Sequence, residues 1–287
     1  MDPGVYQMSH ELYHADPCPV ASLSRGTIMD LLNECPKKAQ FNHPRLNPAY
    51  RPDDDEKFDI GKVAHFMFLE GKNSVEVVDA KDWRTKAAQE ARAKAKSEGK
   101  IALLEDQYAR VRAMVQHAYA ELAGSELGIE DLGSEGDSEL TYIWREDEAW
   151  CRVRPDWISK DRKVILDYKT TGSSADPDAF VKSIISYGYD VQESFYRRGV
   201  KSVEGKAPKF FFMVQETSEP YLCSFIALPP MFQSLGEQKV NWGLDIWRRC
   251  METNRWPAYP NKVCFVDVPA WALTQWEYKA QNISLEG

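Results

Sequence analysis

The sequence predicts an α/β fold in which a mixed central β-sheet is flanked by helices. Three observations predict it. Short β-branched and aromatic runs separated by polar breaks fill the middle of the chain. Helical spacing of apolar residues dominates before and after that stretch. The 287 residues are 43% hydrophobic and 12% aromatic, which supplies a sizeable core and argues against disorder.

The first 20 residues hold three prolines and no period, and read as an extended arm. Ser24 caps a short helix in SRGTIMDLLNEC, and Pro36 marks its end. Residues 42–57 are a polar, proline-rich loop. FDIGKVAHFMFLEG has helical length, with Gly71 at its C-cap. Residues 82–98 and 102–123 are two more helices. The second spaces Leu103, Tyr108, Val111, Val115, Tyr119 and Leu122 at helical intervals.

LTYIWRE, WCRVRPDWIS and VILDYKT then read as three sequential strands. Asp176-Pro177 opens a helix, because Pro suits the first helical turn, and Gly188 breaks it before a second helix over 189–203. FFFMVQE and YLCSFIAL are two further strands around a turn containing Ser218-Glu219-Pro220. A helix over 230–253, a Trp/Pro-rich tail and a short helix near 269–280 close the chain. These segments make one domain, 1–287. It divides into an N-terminal arm and helix (1–57), a helical region (58–125), a sheet core (139–228) and a C-terminal helical region (229–287).

The formal charge of −8 argues, taken alone, against a nucleic-acid binder. The charge is uneven, however. Residues 121–148 hold ten Asp/Glu and one Arg, whereas residues 81–100 hold seven Lys/Arg and three acids. Basic residues are therefore expected to line any channel for a polyanion, with the acidic excess facing outward or toward a partner. No apolar run reaches the length of a membrane span, and no basic-then-apolar start marks a secretory signal. Six cysteines without a Cys-x-x-Cys pair read as reduced thiols of a cytosolic protein.

The chemistry concentrates in RPDWISKDRKVILDYKT. Asp167 and Lys169 lie two apart on a strand and so share a face. A hairpin brings Asp156, which follows Pro155, beside Asp167. Two carboxylates and a backbone carbonyl form a hard, oxygen-rich site suited to Mg²⁺. An adjacent lysine can orient or help deprotonate an attacking water, or stabilise charge developing on phosphorus. An Asp inside VILDYKT is costly to bury without a partner or a metal.

Pro155-Asp156 … Asp167-Tyr168-Lys169 resembles the signature of the PD-(D/E)xK nuclease superfamily, whose restriction-endonuclease-like core is a mixed sheet between helices. PGVYQMSHELYH with SLSRGTIMDLLNECP, Gly61-Lys62-Val63-Ala64-His65 … Leu69-Glu70, DYKTTGSSADPDAFVKSIISYGYDVQESFYRRG and RWPAYPNKVCFVDVPAWA are similar to segments of the RecE (exonuclease VIII) and lambda-exonuclease-like phage alkaline exonucleases. The resemblance implies a Mg²⁺-dependent 5′→3′ exonuclease that resects linear duplex DNA ends. The product is a 3′ single-stranded tail for recombination by strand annealing. It implies metal ligation by Asp156, Asp167, the Tyr168 carbonyl and His65, and a role for Lys169 on the nucleophilic water. On the residues alone, His65 between Ala64 and Phe66 is an ordinary core or surface histidine.

Glu139 matches a position where many superfamily members place an acid, and is a further candidate. Gln192 and Tyr196 lie four apart and so share one helix face, which the resemblance places at the active-site edge. Arg154, Thr170 and Thr171 flank the strands as phosphate contacts. Arg25 is a candidate for a 5′-phosphate, in competition with Lys37 and Lys38. The expected mechanism is two-metal hydrolysis with two Mg²⁺ per site, replaceable by Mn²⁺. Expected partners are DNA ends, copies of the chain in a homo-oligomeric ring (a trimer in preference to a tetramer) and a single-strand annealing protein, in the cytoplasm of a bacterial host of a phage or prophage. Rival readings are another nuclease of the superfamily and a non-catalytic DNA-end-binding ring protein. A Cas4-like protein would carry four cysteines for an iron–sulfur cluster, against which the scattered cysteines speak.

Overall fold

The computed structural model describes residues 1–51, 60–70 and 75–283. In chain order the elements are β1 (Gly4–Tyr6), α1 (His10–His14), α2 (Arg25–Asn33), α3 (Pro36–Asn42), α4 (Ile60–Glu70), β2 (Val75–Val78), α5 (Lys86–Ser97), β3 (Ile101–Leu104), α6 (Glu105–Gly124), α7 (Leu132–Glu135), β4 (Gly136–Ser138), β5 (Thr141–Glu146), β6 (Ala149–Val153), β7 (Trp157–Ser159), β8 (Val164–Thr171), α8 (Pro177–Tyr187), α9 (Tyr189–Glu204), β9 (Lys209–Glu216), β10 (Cys223–Ile226), α10 (Pro230–Thr253) and α11 (Ala270–Asn282). No described helix is long and apolar enough to cross a membrane.

The central sheet has five strands in the order β10-β9-β8-β7-β4. It is mixed: β8 and β9 run parallel, and the other neighbours run antiparallel. Both faces are covered, as parallel pairing requires. Alternation along β8 sorts its residues between the two layers. Ile165 joins a core under α2, α8, α9 and α10, built with Ile184, Phe195, Phe212 and Leu244. Leu166 and Tyr168 join a second core under α4 and α6, built with Val63, Phe68, Met114 and Met213. A polar side chain at 167 or 169 therefore faces the first layer, directly under α9.

Several local expectations hold for stated reasons. The Ser24 hydroxyl accepts the Thr27 N–H (3.3 Å) at the start of α2. Asp176 caps α8, accepting from Asp178 and Ala179 (3.1 Å each), with Pro177 in the first turn. Gly188 sits at φ 63° between α8 and α9, a left-handed conformation that favours glycine, and an added Cβ there would strike Met29.

Others are corrected. The N-terminal 20 residues are not a free arm. β1 pairs antiparallel with β5, and α1 is capped by Ser9, whose hydroxyl accepts from Leu12 (3.2 Å). Pro36 opens α3 instead of only ending α2, because a first-turn proline has no intrahelical N–H bond to lose. WCRVRPDWIS is two strands in two sheets. Pro155 has no N–H to give a ladder, so pairing stops at Val153 and resumes at Trp157. β5 and β6 consequently form a separate three-stranded sheet with β1. The parallel pair β2–β3 was not expected; its four-residue strands carry no decisive period. The Gly71 cap and residues 52–57 of the expected loop lie outside the described residues.

Six of the ten acids of the acidic tract (Glu121, Glu126, Glu130, Asp131, Asp147 and Glu148) are exposed, as expected, and the other four are half-buried. Asp137 pairs with Lys160 (2.5 Å) and Arg162 (2.7 Å), Glu146 with Arg198 (2.8 Å) and Asp147 with Arg248 (3.0 Å). Glu139 turns inward, into the site described next.

Candidate active site

The site forms where β7 stops short of β8. The β7–β8 ladder ends at Trp157↔Leu166, leaving the β7-side edge of β8 without a strand beyond that point. Asp156 takes up the slack: its Oδ2 accepts the Tyr168 backbone N–H at 2.8 Å. In an extended strand one residue's N–H and C=O point to the same edge, so the Tyr168 carbonyl also points to Asp156's side. The side chain of Asp156 thus sits at the sheet edge, between the two helical layers.

Each layer contributes one ligand to the acids. From α4, His65 Nε2 lies 3.0 Å from Asp156 Oδ2, its ring stacked on Tyr168 at 6.1 Å. From α9, Gln192 Nε2 donates to Asp167 Oδ2 at 2.5 Å. Lys169 ion-pairs with Asp167 Oδ1, on the face they share by alternation. Asp167 is wholly buried, and its Oδ1 has no aligned hydrogen bond.

Glu139 completes the arrangement. Its backbone N–H donates to the Asp156 carbonyl (3.0 Å), and its φ is 59°. A non-glycine residue in that region is strained by about 1–3 kcal/mol and persists where its surroundings over-determine it. Here the bond to Asp156 and the Arg154 guanidinium, whose Nε lies 2.5 Å from Glu139 Oε2, do so. Ligand atoms of His65, Glu139 and Asp156 all lie within 4.8 Å of one another. One imidazole nitrogen and carboxylate oxygens, with the Tyr168 carbonyl on the same edge, are a donor set that fits Mg²⁺ and accepts Mn²⁺.

Burial raises the Asp167 carboxyl to about 6, and the Asp156 charge adds to the effect. Burial also pushes Asp156 up, but the His65 and Lys169 charges and the hydrogen bonds from His65 and the Tyr168 N–H outweigh it and hold it below the ordinary range. Burial opposes the Lys169 ammonium, yet Asp167 and Asp156 raise it above an ordinary lysine. For His65, burial is likewise overcome by Asp156, and the ring is raised. The acids are thus split by environment, one favouring its charged form and one resisting it.

The remaining expected residues lie around this centre and have partners of their own. Arg154 is committed to Glu139 and stacks over Tyr13 at 5.7 Å, instead of standing free for phosphate. Arg25 donates to the Tyr187 carbonyl. Lys37 bonds Gln40 (2.8 Å) on α3. Thr170 follows Tyr168 by two and shares its face, opposite Lys169; Thr171 shares the Lys169 face and accepts the Ser173 N–H (3.0 Å). Tyr196 packs edge-on against Phe210 at 6.3 Å. Sequence reasoning missed Tyr189, whose ring lies 5.4 Å under the Lys169 ammonium. Its signal was a helical aromatic three residues before Gln192.

Next to Gln192, Glu193 is buried, with Oε1 taking Arg197 (3.2 Å) and Gln233 (3.0 Å) and Oε2 taking no partner. Burial pushes its carboxyl up to about 7. A folded-state value above the unfolded one favours the protonated group. Its stabilising contribution is therefore full below the unfolded value near 4.5 and is lost as pH rises through about 7. Glu193→Gln is expected to be more stable than the parent at pH 8, by up to about 3 kcal/mol, and no more stable at pH 4. Urea unfolding of both proteins at the two pH values checks it; a pH-independent difference would refute the assignment.

A family model described as DUF3799, a PDDEXK-like domain of unknown function, matches residues 27–268. No curated protein matches the sequence. The structure named "Putative exonuclease" from Eubacterium rectale is similar in fold, with a TM-score of 0.59 at 13% identity, over 94% of this chain and 98% of that one. An alkaline exonuclease from Laribacter hongkongensis aligns over 70% of this chain and 92% of its own, at 11% identity and a TM-score of 0.28. The PD-(D/E)xK core seen here, a mixed sheet with its acids and lysine at a strand break, agrees with the family match. The chain belongs to the DUF3799 family of PDDEXK-like domains.

Proposed function

We propose that this protein is a divalent-metal-dependent double-strand DNA exonuclease. It resects linear ends 5′→3′ and leaves 3′ tails for recombination by an annealing protein. The observation that carries the reading is the meeting of Asp156, Asp167 and Lys169 with His65 and Glu139 at one strand break. Polarity, the annealing partner, a trimeric or tetrameric ring and origin from a phage or prophage follow from the RecE-like sequence resemblance.

His65, Glu139, Asp156, Asp167 and the Tyr168 carbonyl would hold two Mg²⁺ ions. When bound, these supply charge neutralisation at the phosphate and a nucleophilic water at neutral pH. The chain's own groups do the positioning. Asp167 holds Lys169 in place, and Tyr189 backs the ammonium from below. Asp167 and Asp156 raise the Lys169 ammonium above an ordinary lysine, so it offers a hydrogen-bond donor and a positive charge beside the phosphate. Gln192 fixes one oxygen of Asp167 while Lys169 pairs with the other, so both oxygens of this acid are oriented by the chain itself.

Purified protein, Mg²⁺ and two substrates test the reading: a linear duplex labelled at its 5′ or 3′ ends, and the same DNA as a closed circle. The linear duplex is expected to lose its 5′-labelled nucleotides first while the circle stays intact. Cutting of the circle would make the protein an endonuclease, and binding of ends without cleavage a non-catalytic end-binder.

A further inference from the structure

The C-terminal segment contributes little to the body. From Pro257 onward every described residue except Ala272 is exposed, and α11 buries no side chain. The segment is tethered where it leaves α10. Trp256 packs edge-on against Trp247 at 5.6 Å, the Lys37 N–H donates to the Pro257 carbonyl at 3.0 Å, and the Tyr259 hydroxyl donates to Glu34 at 2.8 Å. Yet its composition is that of a core. Phe265 is 98% exposed and Trp276 65%, and Tyr259, Trp271, Tyr278, Val263, Val266 and Val268 stand in water with them. Leu273, Trp276 and Ala280 recur at three- and four-residue steps along one face of α11.

An apolar run this dense marks an interaction surface. Covering its five rings alone would remove on the order of 700 Å² from water, about one partner's share of a standard interface. Its charges are sparse and balanced: Lys262 and Lys279 against Asp267 and Glu277. A helix that lies on a lipid surface carries a cationic polar face, and a nucleic-acid contact needs clustered cations; this segment has neither. Its chemistry fits another protein's apolar surface.

This chain carries such a surface. α10 turns Val240, Leu244, Trp247 and Cys250 into the core. Its outer side exposes Met231 (84%), Leu235 and Trp242 (59%), spaced four and seven residues apart and so aligned in one stripe. We propose that the C-terminal arm of one copy, led by Phe265, Trp271 and Trp276, docks on the α10 stripe of a second copy. The contact is heterologous, arm to stripe, so each added protomer offers a fresh arm and a fresh stripe until the assembly closes. The inference does not depend on the nuclease reading; it would give the ring proposed above its physical link.

Sedimentation velocity of the 287-residue chain at about 10 μM, without DNA, tests it. The parent is expected at a multiple of its 32.9 kDa mass. Trp271→Gln/Trp276→Gln and Met231→Gln/Trp242→Gln are each expected to sediment as monomers with the parent's circular dichroism. Mixed one to one, they should recover a dimer, because each supplies the surface the other lacks. A monomeric parent, a double variant that keeps the parent's mass, or a mixture that stays monomeric would each overturn the proposal. Failure here leaves the cleavage assay untouched, so the two readings fail separately.

Discussion

Asp167→Asn and Lys169→Ala are each expected to reduce Mg²⁺-dependent cleavage of linear duplex by about a thousandfold. Asn keeps the size of Asp167 and one oxygen for the Gln192 amide, but removes the charge that holds Lys169. Lys169→Ala removes the cation itself and leaves Asp167 buried beside Asp156 without its partner. The two should therefore fail alike in single-turnover rate, since both dissolve one ion pair. Fold loss is separable from this. Asp167 is wholly buried and its carboxyl is raised to about 6, first by burial and then by the Asp156 charge. A group raised in the folded state costs stability once ionised, above that value. At pH 8 without divalent ions, Asp167→Asn is thus expected to melt at or above the parent's temperature while its activity collapses, a residue kept for chemistry at the expense of stability. Glu139→Gln, by contrast, should act through the metal, weakening Mn²⁺ binding at least about tenfold in a calorimetric titration. Parent-like cleavage by either Asp167→Asn or Lys169→Ala would remove this site from the chemistry.

The same pair shows what a sequence can disclose. Asp167 and Lys169 share a face because a strand has a period of two, and that period is legible in VILDYKT. Ser24, Asp176-Pro177 and Gly188 were legible because caps, first-turn prolines and left-handed glycines are local chemistry. The break at Arg154–Asp156 was written in Pro155, but a run of β-forming residues on both sides masked it. Glu139 illustrates the opposite limit. Its pairing with Arg154 and its bond to Asp156 depend on two sheets meeting, which no period encodes. The acidic tract around it therefore looked like a solvated face. His65 is similar: Asp156 lies 91 residues away, and only the packing of α4 on β8 joins them.

A second long-range contact, silent in the sequence, is expected to have the largest effect on stability. Asp16→Asn should destabilise the protein by about 3 kcal/mol, and Asp16→Ala by up to about 5 kcal/mol. Asp16 is buried at φ 63°, just after α1. Its Oδ1 accepts the Ser22 hydroxyl (2.7 Å) and the Cys18 N–H (3.3 Å); its Oδ2 accepts the Ser22 N–H (2.8 Å). Arg152, on β6 and almost fully buried, lies 3.3 Å from Oδ1 and also donates to the Ser22 carbonyl (3.0 Å). His43 is held neutral by burial; its Nδ1 accepts the Arg45 N–H (3.2 Å), so its Nε2 carries the hydrogen given to the Ser22 carbonyl (3.0 Å). Among the described residues, Arg152 is then the cation ion-paired with Asp16. Removing the carboxylate leaves a buried guanidinium uncompensated, which is costlier than losing the pair's own attraction. Asn tolerates φ above zero, so its variant isolates the charge, whereas Ala adds backbone strain. The double variant Asp16→Asn/Arg152→Met should recover part of the loss, because the stranded charge goes with the arginine. Urea unfolding of the four proteins measures this cycle. If Asp16→Asn shifted the midpoint by less than about 1 kcal/mol, or the double variant were no better than Asp16→Asn, the pair would not be what locks the N-terminal segment to β6.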